Sequence, residues 1–166
     1  NVEEFSKTEY FKKLSWLKDE KDELYDPKYT DVLRVAFSTQ FERGKLADLV
    51  SLLSGRNFKT KQFEPKIKTD SFKKLEEGII NTINETNFKR FLMILNSAGI
   101  ITNKLYSSVN VVNVSYMLYL KLKAEKVSSN NIEKLVRKWF VMSSLKARYS
   151  GSPDSTIDTD VKNFKS

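Results

Sequence analysis

A chain of 166 residues suffices for one ordinary domain with a buried core, and hydrophobic and charged shares of 40% and 30% are globular rather than disordered. The absence of Cys and His excludes disulfides, a thiol nucleophile, zinc sites built on those residues and a histidine general base. A net charge of +8 favours an anionic partner, nucleic acid above all, against the plainer reading of Lys interspersed with Glu and Asp on a wet helical surface.

Gly and Pro are scarce, five and three, which favours long helices over many short strands because strands need frequent turns. The start at Asn1 rather than Met points to a piece of a longer product, and no signal-peptide pattern follows it. The longest apolar-rich stretch, Val109 to Leu122, is interrupted by Asn110, Asn113 and Ser115. It falls short of the roughly 18 to 20 apolar residues of a bilayer span. A non-membrane, cytoplasmic protein is the expectation, with which the lack of Cys agrees.

In chain order, Phe5, Tyr10, Phe11, Leu14 and Leu17 recur at helical spacing, and a charged run from Lys18 to Glu23 follows. Asp26-Pro27 reads as an N-cap with Pro at the first helical position. The helix it opens turns Tyr29, Val32, Leu33, Ala36, Phe37 and Phe41 inward and stops at Gly44. A short helix over 45–54 buries Leu46, Leu49, Val50 and Leu53 and ends at Gly55. Residues 56–68, with Pro65 and five basic side chains, form the least ordered connection. Thr69 or Asp70 caps the next helix, with Phe72, Leu75, Ile79, Ile80 and Ile83 inward. Thr86 caps another that buries Phe88, Phe91, Leu92 and Leu95 and ends at Gly99.

The β-branched run after Val109 admits a strand, but Val109, Val112, Tyr116 and Tyr119 keep helical spacing and the segment is too long for one strand. Apolar on nearly every side, it is expected to be the central helix. Asn130 with Glu133 resembles a capping box for a helix reaching about Arg148, with Ile132, Leu135, Val136, Trp139, Phe140 and Ser143 inward. A C-terminal tail over 150–166 holds one more short helix. The sum is one all-α domain over 1–166, an irregular bundle of about six to eight helices.

No constellation in the chain carries catalysis. Asp154, Asp158 and Asp160 contain a D-x-D pair, too few oxygen ligands for a metal site, and residues there serve equally as helix caps. No Gly-rich phosphate loop is present, and no Lys lies in an apolar run that would desolvate it. No metal or cofactor is therefore expected. The better candidate is a basic stripe formed by Lys134, Arg137 and Arg148 and flanked by Lys138 and Lys146, with Tyr149 available for stacking on a base. The plainer reading makes Trp139 and Phe140 core and the cations a solvated face.

The stretch from Arg137 through Trp139-Phe140 to Arg148-Tyr149-Ser150-Gly151-Ser152 and Asp154, followed by Asp158 and Asp160, resembles the helical C-terminal portion of the GmrSD-type restriction endonuclease N-terminal family. Leu33-Arg34, Leu53-Ser54-Gly55-Arg56 and Phe91 through Ser97-Ala98-Gly99 resemble it more weakly. The resemblance implies an upstream ParB/sulfiredoxin-like part with a D-G-Q-Q-R motif that binds and hydrolyses nucleotide. It also implies, in many members, a downstream HNH-type nuclease domain, in proteins that restrict modified phage DNA. Here the only Gln residues are Gln40 and Gln62, so D-G-Q-Q-R is missing, and without His there is no HNH signature. The resemblance thus implies a helical accessory region, no enzyme by itself, whose partners are DNA and those two parts. It assigns no role to the Arg148–Ser152 segment. Pairing of Arg148 with Asp158 or Asp160 to fold the tail back and direct binding are both open.

Overall fold

The computed structural model describes residues 23–164, and the apolar positions from Phe5 to Leu17 lie outside them. Seven α-helices and one 3₁₀ turn follow: α1 (Tyr29–Phe41), α2 (Leu46–Leu53), α3 (Pro65–Thr82), α4 (Glu85–Asn96), the 3₁₀ turn Asn103–Leu105, α5 (Val109–Ala124), α6 (Ser129–Leu145) and α7 (Pro153–Asn163). The architecture is an all-α bundle, and no helix is long and apolar enough to cross a membrane among the described residues.

The segment most apolar around its circumference takes the centre. Every residue of α5 from Val111 to Leu120 is buried, and α5 contacts α1, α4, α6 and α7. Such a helix needs partners on all sides, which fixes the bundle around it. Aromatic rings fill the space between α4 and α5: Phe91 lies 4.7 Å from Tyr116, and Phe88 meets Tyr116 edge-on at 6.0 Å. The Tyr116 hydroxyl donates to the carbonyl of Thr82 (2.7 Å), satisfying one of the orphan acceptors at the end of α3. Where α1 crosses α3, a Cβ on Gly78 would stand 2.9 Å from the Ala36 carbonyl oxygen, so only glycine permits this approach.

One polar chain runs through the core. Tyr25 donates to Asn113 Oδ1 (2.6 Å), and Asn113 Nδ2 donates to Asp31 Oδ1 (2.8 Å). The other carboxylate oxygen of Asp31 accepts the Lys28 backbone N–H (2.9 Å). These bonds satisfy the buried Asn113 inside α5 and fix the entry of α1.

Several boundaries differ from those read in the sequence, each for a local reason. Helix α1 starts two residues after Pro27, with Lys28 at the N-cap, because Asp31 closes that end. It stops at Glu42 in the left-handed region (φ 53°), not at Gly44. Helix α3 starts at Pro65 with Glu64 as N-cap, so Thr69 and Asp70 lie inside the helix. Asn84 rather than Thr86 caps α4, accepting the Asn87 N–H at 3.0 Å. Ile83 before that cap and Phe88 at the fourth helical position, both buried, occupy the two positions of a hydrophobic staple. Ser128 rather than Asn130 stands at the N-cap of α6, without a side-chain cap hydrogen bond, and α6 ends at Leu145 rather than Arg148.

Val50, Phe72 and Leu135, expected inward, are 71%, 47% and 45% exposed, as is Tyr29 at 54%. Their helices are covered on a narrower side than the run of apolar residues suggests.

Candidate nucleic-acid interface

Helix α6 presents its inner face through Ile132, Val136, Phe140 and Ser143, all buried. A 100° step per residue then places Lys134, Arg137 and Lys138 on the opposite, outer face of its first half. Lys134 and Lys138 are exposed and in no ion pair among the described residues. Arg137 is engaged by Glu133 one turn earlier (3.0 Å), so its charge is partly offset. Lys146 stands at the C-cap, also exposed and also outside every ion pair among the described residues. The second half of α6 exposes apolar side chains, Val141, Met142 and Leu145, the last at 78%, and Leu135 is exposed beside Lys134 in the first half.

Arg148 and Tyr149 do not belong to that surface. Asp160, only 2% exposed, accepts Arg148 Nε at 2.8 Å and Arg148 Nη2 in a two-point pair, and it accepts the Tyr149 hydroxyl at 2.8 Å. Arg148 also lies 5.8 Å from the centre of the Trp139 ring, which meets Phe164 edge-on. Tyr149 is 3% exposed, so its ring is not available to stack on a base. This corrects the expectation from its position at a helix end. The hydrogen bond to Asp160 holds the Arg148 guanidinium more firmly protonated than usual, against the opposing effect of burial. Burial, then the neighbouring Asp160 charge, pushes the Tyr149 hydroxyl well above its ordinary range.

Asp158 does not meet Arg148. It turns the other way, accepting the Gly44 backbone N–H (2.9 Å) and the Lys162 ammonium (2.5 Å). Burial alone would raise its carboxyl, and Lys162 together with the Gly44 N–H outweighs that and holds it below the ordinary value. Asp154 pairs with Arg34 of α1 (2.7 Å). The three aspartates of α7 therefore face three different partners, and no group of acidic residues suited to a metal ion occurs among the described residues.

A second basic feature lies outside α6. Within 56–68, expected to be the least ordered connection, residues 56–64 form a tight hairpin in which Arg56 and Phe63 pair as an antiparallel bridge, and the rest belongs to α3. Asn57 organises it: its N–H donates to Gln62 O, its carbonyl accepts Lys61 N–H, and its side chain accepts the N–H groups of Lys59 and Thr60. An Asx turn of this kind needs one Asn and no periodicity, so only the dipeptide context could have signalled it.

A cavity of about 500 Å³ opens between α4, α5 and α6, lined among others by Arg90, Met93, Tyr119, Lys123 and Ile132. Its one carboxylate, Glu133, is the partner of Arg137.

No protein family, curated protein or solved structure matches this chain.

Proposed function

We propose that the chain is a helical accessory domain of a nucleotide-dependent DNA restriction or phage-defence protein, with no catalytic work of its own. In it the outer face of α6 contacts the phosphate backbone. The observation that carries this is the pair Lys134 and Lys138, one turn apart on an exposed face and without a carboxylate partner among the described residues. Cations already neutralised by protein carboxylates release little on meeting DNA, whereas free ones displace condensed counterions. The net charge of +8 and the resemblance of the 137–160 segment point the same way. Nucleotide hydrolysis and strand cleavage then fall to other parts of the same protein.

Binding of duplex DNA by the 166-residue chain, followed by fluorescence anisotropy over a salt series, tests this. Affinity should fall steeply with salt, and Lys134→Gln with Lys138→Gln should flatten the log–log slope by about 1.8, two phosphate contacts' worth. No binding at low salt removes the DNA part of the proposal.

A second reading, a purely structural or interaction module, is favoured by the exposed apolar side chains of the same helix. Leu135, Val141, Met142 and Leu145 together resemble a surface that another domain covers. Absent DNA binding would leave this reading in place.

A further inference from the structure

The cations of the 56–64 hairpin and the first turn of α3 are concentrated and unopposed. Arg56, Lys59, Lys61, Lys66 and Lys68 are all exposed, and none has an ion-pair partner among the described residues. The only carboxylate in that stretch is Glu64, so it carries a net +4 where the whole chain carries +8. Glu64 itself is turned to a neutral partner, accepting Asn57 Nδ2 at 2.6 Å.

An aromatic side chain stands among these charges. Phe63 is 67% exposed and lies across the bridge from Arg56. The other aromatic of the hairpin, Phe58, serves a different purpose: the Arg43 guanidinium sits 4.3 Å over its ring, and Arg43 is itself held by Asp48 at 2.8 Å. Phe58 thus pins the hairpin to the body of the protein. Glu64 N–H donating to Gly55 O (2.8 Å) closes its base. The platform is built before any ligand arrives, which lowers the ordering cost of binding.

We propose that this hairpin binds single-stranded or unpaired nucleic acid, with Phe63 stacking on a base and Lys59, Lys61 and Arg56 neutralising adjacent phosphates. A ring can stack only on a base face that is not already covered, so the aromatic selects unpaired strand, whereas the cations alone would serve duplex equally. This inference rests on the nucleic-acid reading above but uses a different surface from the face of α6.

The test is anisotropy with a labelled oligothymidine and with a duplex of the same length, each over a salt series. Phe63→Ala should weaken oligothymidine binding about fivefold to 100-fold and leave duplex binding nearly unchanged, as expected for loss of one stacked base. Lys59→Gln with Lys61→Gln should flatten the single-strand salt slope by about 1.4. Because Phe63 is outside the core, an unchanged melting temperature will show that the variant is folded.

Equal affinity of Phe63→Ala and parent for oligothymidine overturns the proposal. So does an unaltered salt slope in the double lysine variant. Single-strand binding that is lost instead with Lys134→Gln and Lys138→Gln overturns the hairpin while sparing the reading under Proposed function. Failure of the parent to bind either nucleic acid overturns both. Phe63-dependent binding to vesicles of anionic lipid without any to oligothymidine overturns it in favour of a membrane surface.

Discussion

Gly44 lies in the turn between α1 and α2, and replacing it with Ala provides a sharp test of how α7 is seated. A Cβ there would stand 2.1 Å from Asp158 N, 2.5 Å from its Cα and 2.6 Å from the carbonyl carbon of Ile157. All three are backbone atoms within a helix, so no side-chain rotation relieves the overlap. Separating them to ordinary contact displaces α7 by more than an ångström, which lengthens the 2.9 Å bond from Gly44 N–H to Asp158 beyond useful range. Overpacking costs about 1–3 kcal/mol, and losing a hydrogen bond to a charged group costs about 1.5–3 kcal/mol. A total of about 3–5 kcal/mol corresponds to a fall in Tm of about 6–20 °C for a domain of this size. Thermal unfolding followed by circular dichroism reads it. Gly151→Ala is the control, since a Cβ there meets nothing within 4 Å, and its effect should stay within about 1 kcal/mol. A Gly44→Ala protein melting within about 2 °C of the parent would refute the close seating of α7 on this turn.

Asp160→Ala should cost about 2–4 kcal/mol in urea unfolding, because it leaves a buried Tyr149 hydroxyl and the Arg148 guanidinium without their partner. Tyr149→Phe should cost only about 1 kcal/mol, and equal losses in the two variants would mean that the Arg148 pair contributes nothing. The alkaline limb of stability follows from Tyr25, Tyr116 and Tyr149, whose hydroxyls burial holds protonated well above the ordinary value of 10.0. Above that value the unfolded chain releases protons that the folded one keeps, so stability is full below it and falls as pH rises. The slope approaches about 1.4 kcal/mol per pH unit for each tyrosine. A urea midpoint that does not move between about pH 9 and pH 11 would contradict the burial of these hydroxyls.

The parts of the fold legible in the sequence are those that depend on local repetition. Phe88, Phe91, Leu92 and Leu95 share one side of a helix by spacing alone, and all four are buried. The apolar character of α5 on nearly every side announces its central place, despite Asn113 and Ser115. Starts of helices were less legible. The Ser128–Asn131 run offers several cap residues in succession, and nothing local to it marks Ser128 as the one that precedes α6. On the candidate interface, composition marks Lys134, Arg137, Lys138 and Lys146 as basic, but not which of them a carboxylate claims.

What the sequence by itself determined is the all-helical class, the identity of the central helix, and the exclusion of any chemistry that needs His or Cys. These follow from periodicity and residue inventory, both of which are properties of short windows or of the whole list. Only the tertiary structure decided that Gly44 meets Asp158, 114 residues away, and that Tyr149 is buried against Asp160 rather than offered to a ligand. It alone also showed 56–64 as a hairpin with Phe63 exposed across the bridge from Arg56. Such pairings depend on which surfaces the packed helices bring together, and a polar side chain carries no mark in the sequence of the partner that will satisfy it.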